Sequence, residues 1–299
     1  MNAIVLGFSE SAAAAAGLAR QLDLPCGIVA VHHFPDQESL VRVPRSAETV
    51  ILYRSLDDPN AKLIELIFAA EAARDGGARR VILIVPYLAY MRQDMAFLHG
   101  EAVSQRIIGR LIAQHFDAVM TVDPHLHRVA SLQEVVPGIA AVSLSAAPLL
   151  AGLIDRAKAP IIIGPDSESR QWTQSIAGPL GLDMLVGRKE RRGDRQVELA
   201  IDGLEQVRGR PAILVDDVIS SGMTLIAAAS LLRDAGASHI EVLATHCLAS
   251  EDDLVAIREN GVNRIQTTDS VAGPTASVSI APLLADALIA EGLGTKGLT

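Results

Sequence analysis

Cysteine is scarce in this chain of 299 residues. Its two cysteines, Cys26 and Cys247, stand far apart and outside any metal-ligand spacing. That excludes a disulfide framework and favours a reducing, cytoplasmic setting. Aromatic residues are also few, 3% against 49% apolar residues in all, so the core must be aliphatic, of the kind found in parallel sheets covered by helices. Positive charge is in deficit. A formal net charge of −9 argues against general affinity for nucleic acid or an anionic membrane. A phosphate ligand would need local donors, against an unfavourable global field. No apolar run approaches the ~20 residues of a membrane span. The opening MNAIVLGFSESAAAAAGLARQL has no basic leader, and its apolar run breaks at Ser9-Glu10-Ser11. It reads as a first strand and an Ala-rich helix rather than a secretory signal.

What is present alternates. Apolar, β-branched runs at 81–85, 118–122, 161–163, 212–215 and 240–244 end in polar residues. Segments such as 60–74 and 224–233 carry apolar residues at helical spacing. This pattern predicts an α/β fold with largely parallel sheets, and the length suits two domains. Arg74-Asp75-Gly76-Gly77-Ala78 and Arg233-Asp234-Ala235-Gly236-Ala237 each close a helix before a buried strand. The echo fits either ordinary helix closure or two similar halves, joined near 140–150.

Two stretches carry chemistry. VDDVISSGMT (215–224) delivers Asp216 and Asp217 to a strand's carboxyl edge, where open α/β sheets bind ligands. The amides and hydroxyls of Ser220, Ser221, Gly222, Met223 and Thr224 can then wrap a phosphate at a helix start. Acids beside an anion site suit a sugar phosphate, with its vicinal diol toward the carboxylates. The spacing and lysine of a nucleotide P-loop are missing. GRKERRGDRQ (187–196) is a dense basic run in an acidic protein, between the runs 184–186 and 197–201; it reads either as a solvated hairpin tip or as a flexible loop suited to a polyphosphate.

These stretches, with four more, resemble the ribose-phosphate pyrophosphokinases, the phosphoribosyl diphosphate (PRPP) synthetases. The 215–224 motif is shared with type I phosphoribosyltransferases. HHFPDQES (32–39) is similar to the family's F-x-D-G-E loop, with Gln37 in the place of Gly. The resemblance assigns Phe34, Asp36 and Glu38 to the adenine of ATP bound by a neighbouring subunit. PYLAYMRQD (86–94) matches PY-x-x-Y-x-RQD and assigns Arg92 and Gln93 to ATP, with Glu101 and Ser104 following in family order. VDPHLHR (122–128) and IIIGPDSES (161–169) resemble strand-end segments in which His125 and Asp166 attend Mg²⁺. Ser167, Glu168 and Ser169 stand where the family has small glycines. Lys189 and Arg191 match the K-x-R of a catalytic flexible loop. Met223 takes a place usually held by Gly. SVSIAPLLADAL (277–288) resembles the closing helix.

The resemblance implies two doubly wound domains of the type I phosphoribosyltransferase kind. These are an N-terminal synthetase domain over 1–145 and a phosphoribosyl-binding domain over 146–299, whose last helix can return to the first domain. It implies pyrophosphoryl transfer from MgATP to ribose 5-phosphate in a cytoplasmic homo-oligomer, with Mg²⁺ as cofactor and no nucleic-acid or membrane partner. Two alternatives stand beside it. One is a phosphoribosyltransferase consuming PRPP; the other is a non-catalytic paralogue that binds nucleotide.

Overall fold

The computed structural model describes residues 2–126, 128–192 and 196–293, with only the backbone of 189–192 and 196–198. It divides into two compact units. The first comprises Met1–Ser145, Ser270–Ala272 and Ser279–Thr299; the second comprises Ala146–Asp269 and Gly273–Val278.

The first unit opens with β1 (Ala3–Gly7), α1 (Ala12–Leu22) and β2 (Cys26–Ile28), then a hairpin of β3 (Ala30–His33) and β4 (Ser39–Arg42). β5 (Thr49–Tyr53), α2 (Pro59–Asp75), β6 (Arg80–Ile84), α3 (Ser104–His115), β7 (Ala118–Val122), α4 (Leu132–Val135) and β8 (Ala140–Leu144) follow. Its main sheet has the order β2-β1-β5-β6-β7-β8, and every pairing in it is parallel. β1, β5 and β7 are buried along their whole length, which is why they read as continuous aliphatic runs rather than alternating ones. Ile4, Leu6, Val50, Leu52, Val81 and Leu83 share one core with Leu63, Leu66 and Ala70 of α2. Pro59 at the first position of α2 suits its start, where the amide would have no helical partner.

The second unit runs α5 (Ala147–Ala151), β9 (Ile161–Gly164), α6 (Arg170–Leu180), β10 (Met184–Arg192), β11 (Gln196–Ile201), β12 (Pro211–Ile219), α7 (Met223–Asp234), β13 (His239–Cys247), α8 (Glu251–Glu259), β14 (Arg264–Thr268) and β15 (Ala276–Val278). Its sheet has the order β11-β10-β9-β12-β13-β14-β15, parallel except where β11 pairs with β10. Strand periodicity splits its core in two. Ile161, Ile163, Ala212 and Leu214 pack with α7 and α8, whereas Ile162, Ile213, Val215 and Leu243 pack with α5 and α6. A capping box between Ser250 and Asp253 fixes the start of α8.

After β15 the chain returns to the first unit as α9 (Ala281–Ala290). α9 packs against α1, burying Leu284, Ala285 and Leu288. Ser55 Oγ donates to the carbonyl of Ser270 within the same unit.

Candidate active site

In the second unit the strand order reverses between β9, whose successor β10 lies on one side, and β12, which lies on the other. Ligands of open α/β sheets bind beyond the carboxyl ends of strands at such a switch. Asp166 follows β9 by two residues, and Asp216 and Asp217 lie near the end of β12. Three expected site residues therefore meet at one crevice. Asp216 is half-buried and Asp217 is 3% exposed. Burial pushes the Asp216 carboxyl well above the usual range, and the negative charges of Asp217 and Asp166 push it further. The amide of Asp217 donates to Asp216 Oδ1 at 3.0 Å, too little to reverse that. Asp166 Oδ1 accepts the amides of Glu168 (3.1 Å) and Ser169 (3.3 Å), which fixes the turn into α6.

Directly after β12, Ser220 and Ser221 are exposed and Gly222 is buried. Gly222 holds φ +72°, and a Cβ there would sit 2.4 Å from Ile257 Cδ1 of α8. Only glycine meets both the left-handed backbone and the close packing. The loop then enters α7, whose first-turn amides have no partner within the helix and suit an anion.

The basic run differs from the flexible-loop reading. Residues 187–192 continue β10 instead of forming a loop, because β11 pairs with them antiparallel, Lys189 opposite Leu199 and Arg191 opposite Val197. The alternating run at 197–201 supplies the missing strand. The side chains of Lys189 and Arg191, and residues 193–195, lie outside the described residues. Gly187 brings this hairpin close to the Asp166 turn, since a Cβ there would lie 2.4 Å from the carbonyl of Pro165.

The first unit carries the other candidates. β6 and β7 are neighbours, and their carboxyl ends lead into the segments holding Arg92, Gln93 and His125. Asp94 and Arg128 join the two segments at 2.6 Å. Sequence reasoning passes over Asp94, whose buried Oδ2 accepts from no described residue. Its place as the last residue of the RQD motif was the available signal. Arg92 is exposed, while Gln93 is held by Met95 O (3.0 Å) and Glu101 Oε2 (3.3 Å). Glu101 also accepts the amides of Phe97 (2.7 Å) and Leu98 (3.1 Å), which hold its carboxyl below the usual range. Its place is to shape the 93–101 loop. His125 is half-buried, just past β7, and His127 lies outside the described residues.

Phe34, Asp36 and Glu38 share the turn between β3 and β4. The amide of Gln37 bonds Phe34 O (2.9 Å) and that of Phe34 bonds Glu38 O (2.8 Å). The Phe34 ring stands edge-on to His32, 5.0 Å between centroids.

Residues 3–115 match the model of the N-terminal domain of ribose phosphate pyrophosphokinase, and 139–272 match the phosphoribosyl transferase domain. A ribose-phosphate pyrophosphokinase of Methanopyrus kandleri is 37% identical over 95% of this chain and 98% of its own length. The chain belongs to the ribose-phosphate pyrophosphokinase family. One from Methanothermobacter thermautotrophicus is 35% identical over 95% of this chain and 99% of its own. The crystal structure of phosphoribosylpyrophosphate synthetase from Mycobacterium smegmatis superimposes with a TM-score of 0.82 at 26% identity, covering 98% of this chain and 100% of that one.

Two departures from the family's glycine pattern are resolved by the backbone. Met223 is the first residue of α7, has no positive φ, and is 67% exposed, so no glycine is required there. Gln37 does keep the glycine conformation, at φ +74°. That backbone costs a side-chain-bearing residue about 1 kcal/mol or more.

Proposed function

We propose that the protein transfers the pyrophosphoryl group of MgATP to the 1-hydroxyl of ribose 5-phosphate, giving phosphoribosyl diphosphate and AMP. The observation that carries this reading is the second unit's crevice, where crowded carboxylates adjoin a phosphate-binding helix start. One ligand with a diol at one end and a phosphate at the other answers both. Ser220–Thr224 hold the 5-phosphate, and Asp216 and Asp217 accept hydrogen bonds from the ribose hydroxyls.

The sugar's 1-oxygen attacks the β-phosphorus, the bond from that phosphorus to the α-phosphate oxygen breaks, and the hydroxyl proton passes to solvent. Lys189 and Arg191 neutralise the moving pyrophosphoryl group. Phe34, Asp36 and Glu38 receive the adenine and Arg92 and Gln93 the nucleotide, in a homo-oligomer where the adenine turn serves a neighbouring subunit. Such chemistry rests on positioning and charge stabilisation more than on covalent groups.

Among the described residues no cluster of three His, Cys, Asp or Glu side chains could hold a metal alone. That fits Mg²⁺, which takes one or two carboxylates and fills its sphere with phosphate oxygens and water. His125 in the first unit and Asp166 in the second are each proposed to attend Mg²⁺, which when bound would supply charge neutralisation on the phosphates. None of the described helices is long and apolar enough to cross a membrane.

Purified protein given ATP, ribose 5-phosphate and Mg²⁺ is expected to form AMP and phosphoribosyl diphosphate one to one. ADP as product, or no turnover across a range of Mg²⁺, would overturn the reading. The match of residues 3–115 to a synthetase-specific domain speaks against a transferase that consumes PRPP. Met223, housed without strain, gives no ground for an inactive paralogue.

A further inference from the structure

The β3–β4 hairpin is a sheet of two strands joined to no other strand. A two-stranded hairpin is marginal on its own in water and needs an outside anchor to hold one position. Val31 and Val41 pack its body against the core, and a carboxylate holds the end where the turn begins. Glu65 of α2 is 1% exposed, and its Oε1 accepts from His33 Nε2 at 2.7 Å and from Ser39 Oγ at 2.8 Å. His33 and Ser39 face each other in the hairpin register and flank the 34–38 turn directly. One oxygen therefore grips both strands at the pair where the turn begins.

The carboxylate is itself fixed from behind. Arg54 Nη1 lies 2.6 Å from Glu65 Oε2, and its Nε donates to Glu10 Oε1 at 2.6 Å. The guanidinium sits 3.9 Å from the centroid of Phe8. Burial alone would raise the Glu65 carboxyl, but hydrogen bonds from His33, Arg54 and Ser39 hold it below the usual range, so it is ionised and a strong acceptor.

We infer that Glu65 is a positioning residue for nucleotide recognition: by clamping His33 and Ser39 it sets where Phe34, Asp36 and Glu38 are presented to the adenine. This rests on the proposed role of the turn and adds that its placement is governed from α2. Slippage of the hairpin would move each turn side chain, because register fixes which face a strand residue occupies.

The test compares Glu65→Gln, Ser39→Ala and Ser39→Thr with the unaltered protein. ATP affinity is read both as KM in turnover and as Kd by calorimetry. Amide exchange is read at Phe34 and Gln37, whose amides bond within the turn. Glu65→Gln is expected to raise the ATP KM and Kd about tenfold, with kcat and the ribose 5-phosphate KM within twofold; this matches loss of charge-assisted hydrogen bonds. Ser39→Ala should raise them about threefold and Ser39→Thr should restore them. Exchange at Phe34 and Gln37 should quicken in step while β5 and β6 stay protected. Unchanged exchange at the turn, or quickened exchange with ATP affinity unmoved, would overturn the inference. Failure of the unaltered protein to make phosphoribosyl diphosphate while it still binds ATP would strike the proposed reaction alone, because Kd and exchange still read the clamp.

Discussion

Both units reverse their strand order once, between β1 and β5 in the first and between β9 and β12 in the second, and the two crevices are filled in opposite ways. Beyond β1 and β5 lie Glu10 and Arg54, paired with each other and with buried Glu65. Every charge there has its answer within the protein. Beyond β9 and β12 lie Asp166, Asp216 and Asp217, and burial together with the negative charges of the other two raises the cost of ionising Asp216. The same architecture thus closes one switch point as a structural joint and gathers carboxylates at the other. The difference lies in a few residues after each strand, which is why fold alone never identifies a site.

The comparison can be broken most sharply in the first unit. Arg54→Met should leave Glu65 buried without its counter-ion and lower stability by about 3–5 kcal/mol, measured by denaturant unfolding. A loss below 1 kcal/mol would mean the first crevice is not a structural joint. In the second unit the balance should invert. Asp216→Asn should raise the ribose 5-phosphate KM roughly 10- to 100-fold, as expected for a lost charged hydrogen-bonding group, with no loss of stability at neutral pH.

Acid should separate the crevices as well. Glu65 and Glu10 have lowered values in the folded state, so their stabilisation is full above the ordinary carboxylate range and lost as pH falls through those lowered values. Asp216 has a raised value, so folding binds a proton there. Its cost is absent in acid and grows as pH rises from the ordinary aspartate value through the raised one. Unfolding of Asp216→Asn followed against pH should lack that rise in cost; an unchanged profile would refute the crowding of carboxylates.

Gly222→Ala should cost about 2 kcal/mol through a left-handed backbone and contact with Ile257, and should weaken ribose 5-phosphate binding. Smallest is Gln37→Gly, expected to stabilise by a few tenths of a kcal/mol, as relief of left-handed strain outweighs the added freedom of the unfolded chain. A thermal melt reads both.

Much of this was legible in the sequence for physical reasons. Strands buried on both faces leave uninterrupted aliphatic runs, so β6, β7, β9, β12 and β13 stand out. The 215–224 motif is visible because its acids and its loop are contiguous. The extension of β10 was hidden, since a run of Arg, Lys and Glu reads as solvated loop until its partner strand is known. The Glu10–Arg54–Glu65–His33 joint was hidden for a different reason: its members are scattered along 55 residues of chain and meet only in three dimensions. Met223 shows the converse, a residue that looks anomalous in a motif and is unremarkable in space.

The return of α9 to α1 has a consequence for biosynthesis. The first unit begins with β1 and still lacks one of its helices until the ribosome has passed residue 290. At about 5–20 residues per second, Leu18 and its neighbours on α1 wait some tens of seconds after their own synthesis for that partner. All of the second unit is translated in that interval and can fold first, although it comes later in the chain.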